Sequence, residues 1–376
     1  GLAKGVQVLA GGPIQLTASG TLSTQGGSAG CGLTGGTGGR ICTTGNLVLN
    51  ATNVIVQNTT DVGGTLDVTA SNGLSLIAGT ASARLISTGA QSITVGAGGL
   101  TLTGGGGSSA NLSAEITQAG AAGTQTITVN GGGSIQLNGG AGSGNNNNAL
   151  IVANGTAQNI TFTAGGTLTL TGGTVGNQNY ALIIANNATV GAQTQTIAGA
   201  TGISLFGGLS GGGIDASNNG LGNFAQISNS NGSQDITAGV GGISLTGGGG
   251  ALTNNFALII QAANPPGLAA GTHQNITING GGALTLHGGS SAQTNVIGGT
   301  ANLNNVFRGS YAIITGNGDT QTINFGSGSA IALTGGTVGS NNPAEIFARF
   351  GTQTITGAPS ITIVGGASGG TQHGPV

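Results

Sequence analysis

The chain is poor in charge. Of its 376 residues, 5 are Lys or Arg and 7 are Asp or Glu, so 3% are charged, against about 25% in an average globular protein. The five cations, Lys4, Arg40, Arg84, Arg308 and Arg349, are scattered along the sequence. They make no stripe that could follow a phosphate backbone, which argues against a nucleic-acid partner. Met and Trp are absent, and aromatics amount to 3%. No run of about 18 apolar residues occurs, so no transmembrane helix is expected, and membrane insertion is not part of the reading. The N-terminal Gly1–Val8 lacks the character of a signal peptide and already has the pattern of a strand; it reads as a processed or internal start.

Glycine is abundant instead: 83 residues, about three times the usual share. Collagen is excluded because Gly does not fall at every third position. Disorder is opposed by recurring short runs of Val, Ile, Leu and Thr and by a net charge of only -2. Short strands separated by Gly turns can make a core only by stacking on one another.

An internal repeat carries that expectation. The phrase Gln-x-Ile, a short gap with Gly, an alternating apolar strand and a Gly-Gly pair begins at Gln91, Gln125, Gln158, Gln195, Gln234, Gln274, Gln321 and Gln353, with a weaker copy near Gln57. A further phrase, Ala followed two residues later by Ile or Leu, stands at Ala83, Ala114, Ala149, Ala181, Ala225, Ala257, Ala312 and Ala344. Each repeat thus holds three short strands, enough for one triangular coil. The predicted fold is all-β: a right-handed parallel β-helix, or β-solenoid, of about ten such coils, one domain over residues 1–376. Variable loops sit at one corner, between Gly-Gly and the Ala strand, where inserts such as 142–148 and 288–310 fall.

Strand alternation sorts the side chains. Gln125, Ile127 and Val129 share one side; so do Gln158, Ile160 and Phe162. Leu168 and Leu170, and their counterparts Ile203/Leu205, Ile243/Leu245 and Leu284/Leu286, point the same way. The eight Gln side chains therefore lie on the inward parity. Buried amides must be hydrogen-bonded, and in-register amides bond to each other in a ladder, so these eight are expected to form a core ladder. On the outward parity of the third strand stand Leu150, Tyr180, Leu182, Ile184, Phe224, Phe256, Leu258, Ile260, Tyr311 and Ile313. An apolar stripe on a face that should be wet marks a contact: either long corner loops cover it, or it is a lateral interface for another rod or partner.

Chemistry-bearing residues do not converge. Asp61, Asp67, Glu115, Asp215, Asp235, Asp319 and Glu345 are spread over the repeats, Asp61 and Asp67 being the closest pair. A β-helix polysaccharide lyase or hydrolase needs clustered carboxylates or a basic proton acceptor. His273, His287 and His373 have no ligand spacing. The Gly-Gly turns lack the Asp of calcium-binding repeats and the Lys of a phosphate loop. No catalytic residue, metal or cofactor is expected. Arg84 and Glu115 occupy one column a repeat apart and are expected to pair. Cys31 and Cys42 lie in a Gly-rich excursion over 20–44; close in sequence, they suggest one disulfide and an oxidising compartment.

The phrases Gly-Asn-Leu-Val-Leu-Asn-Ala-Thr-Asn-Val (45–54), Thr-Gln-Thr-Ile-Thr (124–128) and Gly-Gly-Thr-Leu-Thr-Leu-Thr-Gly-Gly (165–173) resemble the rod repeats of filamentous-haemagglutinin-like proteins, giant adhesins that Gram-negative bacteria export by two-partner secretion. The resemblance covers nearly the whole chain. The Asn-Pro-Asn motifs of that family's secretion domain are missing; the Asn-Pro pairs here are Asn264-Pro265 and Asn342-Pro343. The resemblance implies a shaft segment at the cell surface, acting in attachment or biofilm, with host or matrix glycans or proteins as partners. A subunit that polymerises with itself is the neighbouring alternative. A polysaccharide-active enzyme, or an ice- or carbohydrate-binding face built on Thr94, Thr128, Thr161, Thr237 and Thr277, are the others.

Overall fold

The computed structural model describes residues 7–24, 40–187, 189, 193–210, 222–250, 254–261, 271–291, 309–339, 342–357 and 360–366. Among them the chain is all-β, with no helix. All strand pairings are parallel, and each strand pairs with its counterpart in the neighbouring repeat. Parallel strands cannot be joined by a tight hairpin. Here the connection between partners is the rest of the repeat, itself two more strands, so the chain stacks on itself layer by layer.

Three ladders result. The eight Ala strands, preceded by Gln7–Ala10, Arg40–Thr43 and Thr59–Val62, form an 11-stranded sheet, running through Ala114–Gln118, Ala149–Ala153 and Ala181–Ala185 to Ala344–Ala348. The Gln strands form a second ladder, for example Gln91–Val95, Thr124–Val129 and Ala157–Phe162. The third carries the strands that follow them, such as Gly99–Thr103, Ile135–Asn138 and Thr167–Thr171. The second and third ladders belong to one 18-stranded sheet, because Leu47–Val56, Leu66–Ile77, Thr194–Phe206 and Ser233–Thr246 each run through both.

Inward positions match the alternation read from the sequence. Ile127, Val129, Ile160, Leu168, Leu170, Ala149 and Ile151 are all fully buried. They belong to one continuous core cluster from Ile14 to Ile346. Each layer therefore buries its apolar side chains against the layers before and after it, which a single repeat could not do alone.

The register corrects one expectation. Gln57 is not a copy of the Gln phrase; it follows Leu47–Val56 and precedes Thr59–Val62. Where later repeats carry Gln, the first three carry Ile14, Leu47 and Leu66, since Ile14 pairs with Leu47, Leu47 with Leu66, and Leu66 with Gln91. The excursion expected over 20–44 is also shorter: Thr21–Thr24 and Arg40–Thr43 are strands at its two ends. Loop length varies at a second place too. Ser87 to Gln91 is a short turn between the first-sheet strand and the Gln strand, whereas Gln261 and His273 end and begin the same connection in a later repeat.

Candidate functional site

The eight Gln side chains form an unbroken chain of amides. Gln125 Nε2 donates to Gln91 Oε1 at 2.8 Å, Gln158 to Gln125 at 2.9 Å, Gln195 to Gln158 at 2.7 Å and Gln234 to Gln195 at 2.7 Å. Gln274, Gln321 and Gln353 continue it at 2.7, 2.7 and 2.6 Å. Every bond points the same way along the stack. The spare Nε2 hydrogen goes to a backbone carbonyl of the Ala-strand sheet: Val152 for Gln125, Ser228 for Gln195 and Thr315 for Gln274. A buried amide satisfied on both sides costs little, whereas one left unbonded costs about 1–3 kcal/mol.

A second amide column escaped the sequence reading. Two residues before the Ala strand stand Asn147, Asn179, Asn223, Asn255 and Asn342, with Ser310 in their line, all buried. Each Asn Oδ1 accepts from the backbone N–H of the corresponding residue one repeat earlier: Asn147 N–H to Asn179, Asn179 to Asn223 and Asn223 to Asn255, each at 2.8 Å. The Nδ2 atoms hold the corner loop, as Asn179 does to the carbonyls of Gly144 and Val175 at 2.8 and 2.7 Å. The loop base is closed by a main-chain bond from the second Gly of the Gly-Gly pair, Gly173 N–H to Asn179 O at 2.5 Å. That Gly is required by space: a Cβ on Gly173 would lie 2.5 Å from the Gly140 oxygen and from the Asn179 Cβ. The recurring Asn-x-Ala-x-Ile was visible in the sequence, but the variable loops before it hide its period.

The outward stripe of the Ala-strand sheet divides in two. Leu258, Ile260, Tyr311 and Ile313 are buried, with Phe256 and Phe347 packed on them. Leu150, Val152, Tyr180, Leu182, Ile184 and Phe224 are half-exposed. The stripe is thus covered at its C-terminal half and open in the middle of the stack. Across both halves Tyr180, Phe224, Phe256 and Tyr311 form a ring column, with centroids 4.5, 4.6 and 4.7 Å apart and planes within 5°. The spacing is that of the strands themselves. Phe224 and Phe256 have both ring faces stacked, so neither offers solvent the flat face on which a sugar stacks. Burial raises the pKa of both tyrosines; the charge of Glu115 adds to the effect at Tyr180.

Two acid–base pairs lie within ion-pair distance. Arg84 Nε is 3.2 Å from Glu115 Oε2, the expected pair. Asp61 and Asp67 lie in different sheets. His273 is not isolated as its spacing suggested: its Nε2 is 3.2 Å from Asp235 Oδ1, which also accepts from Asn275 Nδ2 at 3.0 Å. His287 is exposed. Asp215, Arg308 and His373 lie outside the described residues. Among the described residues no three His, Cys, Asp or Glu gather into a metal-binding group. Cys42 is disulfide-bonded; the only other cysteine of the chain is Cys31, which lies outside the described residues. Thr94, Thr128 and Thr161 line up in register, but Ala198 interrupts the column before Thr237 and Thr277.

Comparison with protein-family models, with curated proteins and with solved structures found no match.

Proposed function

We propose that this chain is a right-handed parallel β-solenoid of triangular coils that serves as a stiff structural rod: a shaft segment of a bacterial surface adhesin, outside the cell, acting in attachment or biofilm. The carrying observation is the continuity of the internal ladders. Seven Gln–Gln bonds and a column of Asn residues fix the register of successive repeats, so the molecule commits its polar side chains to stacking. With 3% charged residues, neighbouring rods repel one another little, which favours lateral association. The resemblance of 45–54, 124–128 and 165–173 to haemagglutinin-type rod repeats points the same way. The partner best supported is a second rod against the half-exposed stripe at Leu150, Leu182 and Phe224; host or matrix glycans and proteins are the partners the resemblance implies.

Electron microscopy of the purified chain beside its molar mass in solution tests the reading. Separate rods on the order of 50 Å long, from about 4.8 Å per layer, support a shaft segment. Long filaments of 376-residue units transfer the case to the self-polymerising subunit. Lateral pairing is tested by Leu150→Asp with Leu182→Asp, which should abolish side-by-side rods; unchanged pairing removes the stripe from the proposal. Leu258 is unsuitable for that test because it is buried.

A further inference from the structure

Two of the turns that lead out of the Gln strands begin with an Asn-Gly pair. After His273–Ile278, Asn279 is exposed, and its backbone carbonyl accepts from Gly282 N–H at 3.2 Å. Gly280 and Gly281 between them have φ of 65° and 81°, the type I′ pattern that Gly adopts without strain. Among the described residues the Asn279 carboxamide has no hydrogen-bond partner, and Gly280 N–H donates to none. Asn130 begins a turn of the same kind, with Gly131 and Gly132 at φ of 62° and 76°. It is only half-exposed, and Thr163 Oγ1 donates to its Oδ1 at 2.8 Å.

The other described Asn-Gly pairs are held. Asn231 and Asn317 are buried. Gly139 N–H, after Asn138, donates to Thr171 O at 2.8 Å. Gly73, after Asn72, lies inside a strand that is paired on both sides, and Asn72 Nδ2 donates to Asn53 Oδ1 at 2.8 Å. Gly155, after Asn154, is buried, and its carbonyl accepts from Asn187 Nδ2 and Gln193 Nε2 at 3.1 and 2.9 Å. Asn219–Gly220 lies outside the described residues.

We infer that Asn279–Gly280 is a self-modifying site, at which the folded chain converts its own carboxamide through a cyclic imide, and that Asn130–Gly131 is a slower second one. The Gly280 nitrogen attacks Asn279 Cγ. The new C–N bond closes a succinimide ring, the Cγ–Nδ2 bond breaks, and ammonia leaves with the Gly280 proton. Water then opens the ring. Attack at Cγ gives Asp; attack at the main-chain carbonyl carbon gives isoaspartate, in which the chain runs through Cγ. Gly is suited to the step because, with no Cβ, it leaves its nitrogen unshielded and the turn free to pivot. Either product ionises at neutral pH and adds one negative charge to a formal net charge of -2. The isoaspartyl form also takes out of the main chain the carbonyl that Gly282 uses, so the turn itself is rebuilt. The inference needs only this turn, so it and the rod reading can fail separately.

The test is a time course of the full chain in neutral buffer, folded in one arm and unfolded in urea in the other. Peptide mapping by mass spectrometry follows each Asn-Gly pair, and enzymatic methylation counts isoaspartate. In the folded arm Asn279 should convert first, with isoaspartate in excess of Asp, and Asn130 second. Asn72, Asn138, Asn154, Asn231 and Asn317 should convert at least about tenfold more slowly than Asn279, because their reaction waits on local opening. In urea the spread should shrink to within about threefold, since the protection comes from the fold. Asn279→Gln should remove the isoaspartate at 279, because its closure needs a larger ring, and leave the rate at Asn130 unchanged. Equal rates at Asn279 and at the buried Asn231 and Asn317 in the folded arm, a spread in urea as wide as in the folded arm, or conversion of Asn279 to Asp alone would each overturn the inference.

Discussion

The first three repeats and the eight that follow solve one packing problem in two ways. At the same inward position the former place Ile14, Leu47 and Leu66, the latter Gln91 through Gln353. Backbone pairing is parallel in both, and in both the surrounding core is buried. An apolar column tolerates any apolar neighbour, so it does little to fix which repeat follows. Inside an amide column each member is bonded to an amide on either side, so the column specifies register and order at the risk of a large penalty if an inner member is lost.

The strongest test of this contrast exchanges the two chemistries. Gln195→Leu removes the ladder donor of Gln158 Oε1 and the ladder acceptor of Gln234 Nε2 together, and should destabilise by about 2–4 kcal/mol in chemical denaturation, more than loss of one typical hydrogen bond. Leu47→Gln puts an amide between Ile14 and Leu66 and should cost about 1–3 kcal/mol. If Gln195→Leu proves neutral, the ladder does not set register. Leu66→Gln should cost least of the three, because its neighbour Gln91 can turn its Nε2 to the new Oε1.

A smaller effect separates the open and covered halves of the ring column. Phe224→Ser cuts the stack between Tyr180 and Phe256 and should cost about 1–2 kcal/mol, from lost area and stacking at a half-exposed site. In a pH titration followed by phenolate absorbance, the two tyrosines should resist ionisation above pH 10 until the chain unfolds. The sign follows from their raised pKa. The folded state keeps protons that the unfolded chain releases near 10, so their contribution to stability is complete below about pH 10 and is lost as pH rises beyond it. Arg84→Ala should change stability least, by at most about 1 kcal/mol, because the Arg84 side chain is partly exposed and such pairs are weak.

The Gln strands were legible in the sequence for a physical reason: a polar residue recurring on an inward parity has to be bonded to its own copies. The first repeats were not, because without Gln they lack the marker, and Gln57 drew the register to the wrong place. The Asn column was missed because Asn179 and Asn223 precede their strands behind loops of unequal length. His273 and Asp235 belong to neighbouring repeats and meet only through a register that the sequence shows indirectly. The division of the outer stripe was invisible to alternation, since Leu182 and Leu258 have the same parity and differ only in what lies over them.

The Gly–Asn clasp at the loop bases has a consequence for how much the corners can vary. The same bond closes the short loop 174–178 and the long segment 290–309, the latter with Ser310 in the Asn position. Lengthening a segment whose ends are already pinned adds only about 0.6 kcal/mol per doubling. These corners can therefore take insertions, deletions and point changes at little cost to the stacked strands.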